Sequence, residues 1–132
     1  RKTCEFCKKE IKINKTAIAD LLKMTDTKKI AALFAKQGIK LSANEKDLNS
    51  MVFYHGGGCR RCNNSGYKGR IGIYEVLEVT PEITEKINAR ANADVIGQEA
   101  RKQGMITMFE DGLIKAKQGI TSIEEVLRVT RE

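Results

Sequence analysis

The chain has 132 residues, with 24 Lys+Arg against 17 Asp+Glu and a formal net charge of +7. Its 41% hydrophobic and 31% charged content is that of a folded globular protein, and its length is too short for a large multidomain enzyme. The longest apolar run is the six residues Ile30 to Ala35, against the roughly 20 that a membrane helix needs, and no apolar segment of a signal peptide follows the basic start. The opening on Arg1, with Cys4 close behind, is what a piece of a longer polypeptide would show. The positive charge is uneven: residues 1–75 carry 16 basic and 7 acidic side chains, residues 76–132 carry 8 and 10. Such an excess is read either as solvated lysines on helix faces or as a patch for nucleic acid or anionic membrane.

In chain order, residues 1–15 form a basic segment around Cys4 and Cys7. Residues 16–37 repeat apolar side chains at helical spacing (Ala17, Ile18, Leu21, Leu22, then Ile30, Leu33, Phe34), with a break at Thr25 to Thr27 and a stop at Gly38. Ser42 with Glu45 fits a capping box and predicts a short helix over 43–49. Met51 to Tyr54 predicts a strand, 56–58 and 63–66 predict turns, and Gly69 predicts a sharp bend. The β-branched stretch Arg70 to Leu77 predicts another strand. Four helix signals close the chain: Thr80 with Pro81 and an Ile83/Ile87 face, then 93–103 with Val95, Ile96 and Ala100 up to Gly104. Thr107 with Glu110 opens the third, which ends at Gly119, and Thr121 with Glu124 opens the last, carrying Ile123, Val126 and Leu127.

The four cysteines stand as Cys4-x-x-Cys7 and Cys59-x-x-Cys62, with residues 8–58 between the pairs. Two such knuckles supply four thiolates, enough for a closed tetrahedral zinc site without an open catalytic position. Four thiolates also suit an iron–sulfur cluster, and two disulfides would suit an oxidising compartment. A thioredoxin-type pair would need a βαβ setting that is not evident. A zinc clip would tie the start of the chain to its middle and leave the insert as a small helical flap. His55, the sole histidine, reads as a loop or packing residue, with a switch or base as the alternative. No phosphate-binding GxxxxGK[ST], HExxH or GxSxG occurs, and Gly56 to Gly58 precede a cysteine pair rather than a helix.

The stretch Gly58-Cys-Arg-Arg-Cys-Asn-Asn-Ser-Gly-Tyr-Lys-Gly-Arg-Ile-Gly-Ile-Tyr-Glu-Val-Leu77 resembles the signature of the secretion ATPases that drive type II secretion and type IV pilus assembly. The resemblance runs on through Ala100-Arg, Gly104-Met105, Glu110-Asp-Gly-Leu113, Lys115, Gly119-Ile-Thr121 and Glu124 to Thr130. It weakens over about residues 12–52, an insert longer than the family usually shows.

The resemblance implies an α+β, mainly α fold. A four-cysteine zinc-binding subdomain with short strands would span 1–79 and hold the insert, and a small C-terminal helical bundle would span 80–132. It implies Zn²⁺ on Cys4, Cys7, Cys59 and Cys62, with ATP and Mg²⁺ bound only elsewhere in the parent. Arg70, the arginine of the GYxGR motif, would lie near that nucleotide. The chain would then be the C-terminal region of a cytoplasmic hexameric ATPase, peripheral to the bacterial inner membrane. Its partners would be neighbouring protomers, the inner-membrane platform and cytoplasmic assembly proteins. Neither nucleic acid binding nor membrane insertion is expected, and no ATP hydrolysis by this region alone.

Two other classes compete. A stand-alone zinc-stabilised nucleic-acid module fits the basic balance, but 5% aromatic content gives little base stacking. A chaperone zinc domain of the DnaJ type fits Cys59 to Gly66 only in part, since Asn64 replaces its middle glycine. Zinc on four thiolates carries two negative charges, so Lys2, Lys8, Lys9, Arg60 and Arg61, which flank the cysteines, would offset the metal centre.

Overall fold

A computed structural model describes residues 1–131. Two strands, β1 (Lys8–Lys12) and β2 (Val52–Gly56), pair antiparallel with Lys8 opposite Gly56 and Lys12 opposite Val52. Everything between them, residues 13–51, loops out from the far end of that pair. This insert carries α1 (Lys15–Met24) and α2 (Thr27–Lys36). Four helices follow: α3 (Pro81–Asn88), α4 (Ala93–Lys102), α5 (Met108–Lys117) and α6 (Ile123–Thr130). The fold is mainly helical, with one small sheet.

Each helix begins where a short polar side chain replaces the missing intrahelical acceptor. Asn14 accepts from the Ala17 N–H at 2.7 Å, Asp26 from Lys29 at 2.8 Å and Asn92 from Val95 at 3.0 Å. Thr80 caps α3 with Pro81 at its first position, and Thr107 and Glu110 form a reciprocal capping box on α5. The last helix starts one residue later than its sequence suggests. Ser122, not Thr121, accepts from the Glu125 N–H, while Thr121 donates its hydroxyl to the Arg1 carbonyl. Gly38 (φ +70) ends α2, where only glycine takes the left-handed turn without strain.

The insert is no flap. Its Ile13, Ala17, Leu21, Ile30, Leu33, Phe34, Leu48 and Met51 share one buried cluster with Phe53 and with Leu113, Ile114, Ala116, Ile123, Val126 and Leu127. These helices are short, so their stability comes from this shared face rather than from propensity. Helices α3 and α4 pack on each other beside the cluster. Ile83 and Ala100 are their fully buried residues, while Ile87 and Val95 remain exposed.

Two predicted elements do not form. Residues 43–49 are turns: the Ser42 N–H donates to Glu45, but Glu45 spends its other oxygen on the Val52 N–H, and Asp47 and Ser50 close their own turn. Residues 70–77 run without a turn or bend but pair with no strand among the described residues. Among the described residues, no helix is long and apolar enough to cross a membrane.

Candidate metal centre

The strand pair brings the two cysteine knuckles together. Cys7 stands just before β1, and β2 ends at Gly56, three residues ahead of Cys59, so the Lys8–Gly56 pairing sets the two knuckles side by side. Cross-chain backbone bonds fix the approach. The Cys4 N–H donates to the Gly66 carbonyl at 2.9 Å, and the Gly57 N–H to the Cys7 carbonyl at 3.0 Å. Lys2 and Lys68 add two more, and the Thr3 N–H reaches the Ile120 carbonyl, joining the first knuckle to the turn between α5 and α6.

The second knuckle is a single 3-10 turn, Arg60–Cys62, followed by Asn63 (φ +52) and Asn64 (φ +60). Asparagine is one of the few non-glycine residues that enters this left-handed region readily. Gly66 and Gly56 cross in contact: a Cβ on Gly56 would stand 2.0 Å from the Gly66 carbonyl oxygen.

The four sulfurs converge. Sγ separations are 3.8 Å for Cys4–Cys59, 3.8 Å for Cys7–Cys62 and 3.6 Å for Cys59–Cys62, and all four lie within 4.8 Å of one another. These are free thiols, far from the roughly 2.05 Å of a disulfide. A regular tetrahedron with metal–sulfur bonds of about 2.3 Å has edges of about 3.8 Å, so the donors fit one tetrahedral ion. An all-sulfur donor set selects soft or borderline metals and rejects Mg²⁺ and Ca²⁺.

The thiols differ in their surroundings. Desolvation dominates at Cys7 and, with the three neighbouring thiols, pushes it up to about 12. Desolvation also opposes the thiolate of Cys62. There it is outweighed by the Cys59 and Gly66 N–H groups, which donate to its sulfur at 3.2 and 3.3 Å and bring it down to about 6. Around the knuckles, Arg61 stacks on the exposed Phe6 ring at 3.9 Å and Lys8 pairs with Glu5 at 3.0 Å. His55 sits in β2 opposite Lys9, outside the sulfur cluster. Arg70 is exposed and makes no ion pair among the described residues.

One arrangement near Arg70 lay beyond the sequence reading, although its residues belong to the motif quoted above. Asp111 accepts from the Tyr74 N–H at 2.9 Å and pairs with Lys115 at 2.6 Å, and Lys115 donates to the Gly72 carbonyl at 2.7 Å. The two side chains clasp the backbone just after Arg70. An Asp and a Lys four apart on a helix read only as a surface pair until the segment they hold is seen.

Two knuckles closed on four sulfurs, built into a helical core, define a tetracysteine cluster with the geometry to hold one metal ion. A family model described as "Type II/IV secretion system protein" matches residues 1–128. The type IV pilus assembly ATPase PilB of Thermus thermophilus is 39% identical over all 132 residues, and that of Pseudomonas aeruginosa is 36% identical over the same span. The type II secretion system ATPase E of Vibrio cholerae is 39% identical over 89 residues, 67% of the chain. The chain therefore belongs to the type II/IV secretion ATPase family. It spans 13% of the Thermus protein, 20% of the Pseudomonas protein and 18% of the Vibrio protein. Both pilus ATPases match across the whole chain, insert included, so the insert is not peculiar to this sequence.

Proposed function

We propose that this chain is the zinc-clipped, helical region of a cytoplasmic, hexameric ATPase that powers type IV pilus assembly or type II secretion. The observation that carries the reading is the convergence of Cys4, Cys7, Cys59 and Cys62 in a chain that matches pilus ATPases over its full length. Zinc fits better than an iron–sulfur cluster, whose inorganic sulfides hold the cysteine sulfurs apart, whereas here all four lie within 4.8 Å. Bound zinc would supply a fixed cross-link, not catalysis, because four protein ligands leave no open position.

The work of the region is then mechanical. Cys4 to Cys7 and Cys59 to Cys62 hold both ends of the insert, which is itself packed on α5 and α6. Movement of a protomer passes through this unit as through one block, towards neighbouring protomers and the inner-membrane platform. Arg70, exposed beside the Asp111–Lys115 clasp, is the residue of this region presented to the nucleotide of the parent. ATP and Mg²⁺ bind in the parent's other parts, since these 132 residues hold no phosphate loop.

The test compares the 132-residue chain with the full-length protein. The chain alone should show no ATP turnover above background. Full-length protein should turn over ATP and lose most of that activity in Arg70→Ala while retaining zinc. Turnover by the chain alone, or full activity in Arg70→Ala, would contradict the reading.

A further inference from the structure

A groove of about 470 Å³ lies between α2 and the turn that joins α4 to α5. Lys29, Ala32, Leu33 and Lys36 form its α2 wall. Their spacing of i, i+3, i+4 and i+7 is one face of a helix, so the groove follows α2 for two turns, about 10 Å. Two small residues keep it open. Ala32 is exposed on α2, and a Cβ on Gly104, in the other wall, would meet nothing within 4 Å. The lining between the walls is apolar, with Leu33, Met105 and Phe109, and it includes Met24, which is 47% exposed. Methionine is flexible and polarisable, and it adapts to an incoming apolar surface.

Three cations line the groove, Lys29, Lys36 and Arg101, and none makes an ion pair among the described residues. Arg101 commits only its Nε, which donates to the Gly97 carbonyl at 3.2 Å. Glu110 is the one acid in the lining, and its Oε1 already accepts from the Thr107 N–H and hydroxyl. The groove is thus apolar within and positive at its rim. A small anion needs cations that converge on one point. Lys29 and Lys36 instead stand two turns apart, the spacing at which acids recur along one face of a second helix.

We propose that this groove receives an acidic amphipathic helix of a partner protein. Its apolar side chains would seat between α2 and the α4–α5 turn, and acids seven residues apart would meet Lys29 and Lys36. Arg101 would hold a further acid from the opposite wall. One wall belongs to the insert and the other to the C-terminal helices, so the site exists only where the two are packed together. The contact is with another protein and goes beyond the proposed function.

A fluorescent peptide of about 18 residues tests this, with leucines at i, i+3, i+4 and i+7 and glutamates flanking them. Its control carries lysine for every glutamate. Full-length protein should bind the acidic peptide at least about tenfold tighter than the control, with the preference shrinking as salt rises from about 50 to about 500 mM. Lys29→Glu with Lys36→Glu should reverse the preference, a readout that mere loss of stability would not give. Ala32→Trp should fill the groove and abolish binding of either peptide. In methionine methyl spectra, the Met24 and Met105 signals should move on binding, while that of Met51, 0% exposed, stays. Equal affinity for the two peptides, an unreversed preference in the double variant, or no binding at all would overturn the proposal. So would binding by the 132-residue chain but not by full-length protein, which would make the parent's own polypeptide the occupant. None of these results bears on the proposed function, which fails on ATP turnover.

Discussion

Glu45 and Lys117 form a buried ion pair across 72 positions of sequence, with side chains 9% and 8% exposed. The pair also serves Val52: Glu45 accepts its N–H at 3.1 Å and Lys117 donates to its carbonyl at 2.6 Å. The start of β2 is thus fastened to the last turn of α5, at the end of the strand pair remote from the cysteines.

Removing one partner leaves the other charged and buried. Lys117→Met should therefore destabilise the chain by about 3 kcal/mol in urea unfolding. Adding Glu45→Gln should recover part of that loss. A single variant that melts like the wild type would show that the pair contributes nothing.

The same pair gives an acid sensitivity of known sign. Burial raises the Glu45 pKa, but the hydrogen bond from Lys117 and the Val52 and Ser42 N–H groups prevail and bring it down to about 2, from an ordinary 4.5. A carboxylate depressed in the folded state contributes stability that is whole above the unfolded value and lost as pH falls towards the folded one. Glu125 acts in the same sense, held well below the usual carboxylate range first by Arg128, against burial, and also by Arg1. Stability should fall between about pH 4.5 and pH 2, and Glu45→Gln should flatten part of that slope in unfolding measured against pH. An unchanged slope in Glu45→Gln would assign it elsewhere.

The crossing of Gly56 and Gly66 allows no side chain. Gly66 also takes φ +77, and its Cβ would stand 2.4 Å from the Gly56 carbonyl oxygen. Ala at either position should cost about 3 kcal/mol or more and loosen the metal centre, because the Cys4–Gly66 backbone bond runs beside the crossing. Gly104→Ala is the control: φ is +92 with nothing within 4 Å, so only the backbone penalty of about 1 kcal/mol is expected. Equal losses at 66 and 104 would remove close approach as the reason.

Helices α5 and α6 meet at Gly112, where an added Cβ would lie 2.8 Å from Val126 Cγ1. Alanine has the better helix propensity by about 1 kcal/mol, but overpacking costs about 1–3 kcal/mol, so Gly112→Ala should be a net loss. Val126→Ala in the same chain should relieve the clash. A Gly112→Ala chain that melts higher than wild type would show that the contact yields freely.

What the sequence announced and what it concealed follow the range of the interactions. The cysteine pairs and the caps at Thr80 and Thr107 are local patterns with one physical solution, and the structure contains them. Thr121 and Ser122 each precede an acid by three residues, so the cap was a tie, broken by burial of Glu125 under Arg1 and Arg128. Strand β1, Lys-Lys-Glu-Ile-Lys, has almost no apolar alternation and exists only because β2 pairs with it from 40 or more residues away. Ser42 and Glu45 look like a helix start, but Lys117 and Val52 compete for the same carboxylate. Residues 70–77 carry strand chemistry without a strand partner among the described residues. The role of the insert as core was hidden because its apolar stripe does not say what it packs against.

The central claim is that four cysteines from two distant knuckles hold one zinc ion that clips the chain. Native mass spectrometry with metal analysis of the purified 132-residue chain tests it most directly. The account predicts one zinc per chain, lost together with a cooperative melting transition in Cys4→Ser and in Cys59→Ser alike. A chain that folds without metal, carries iron and inorganic sulfide, or keeps full zinc in either variant contradicts it.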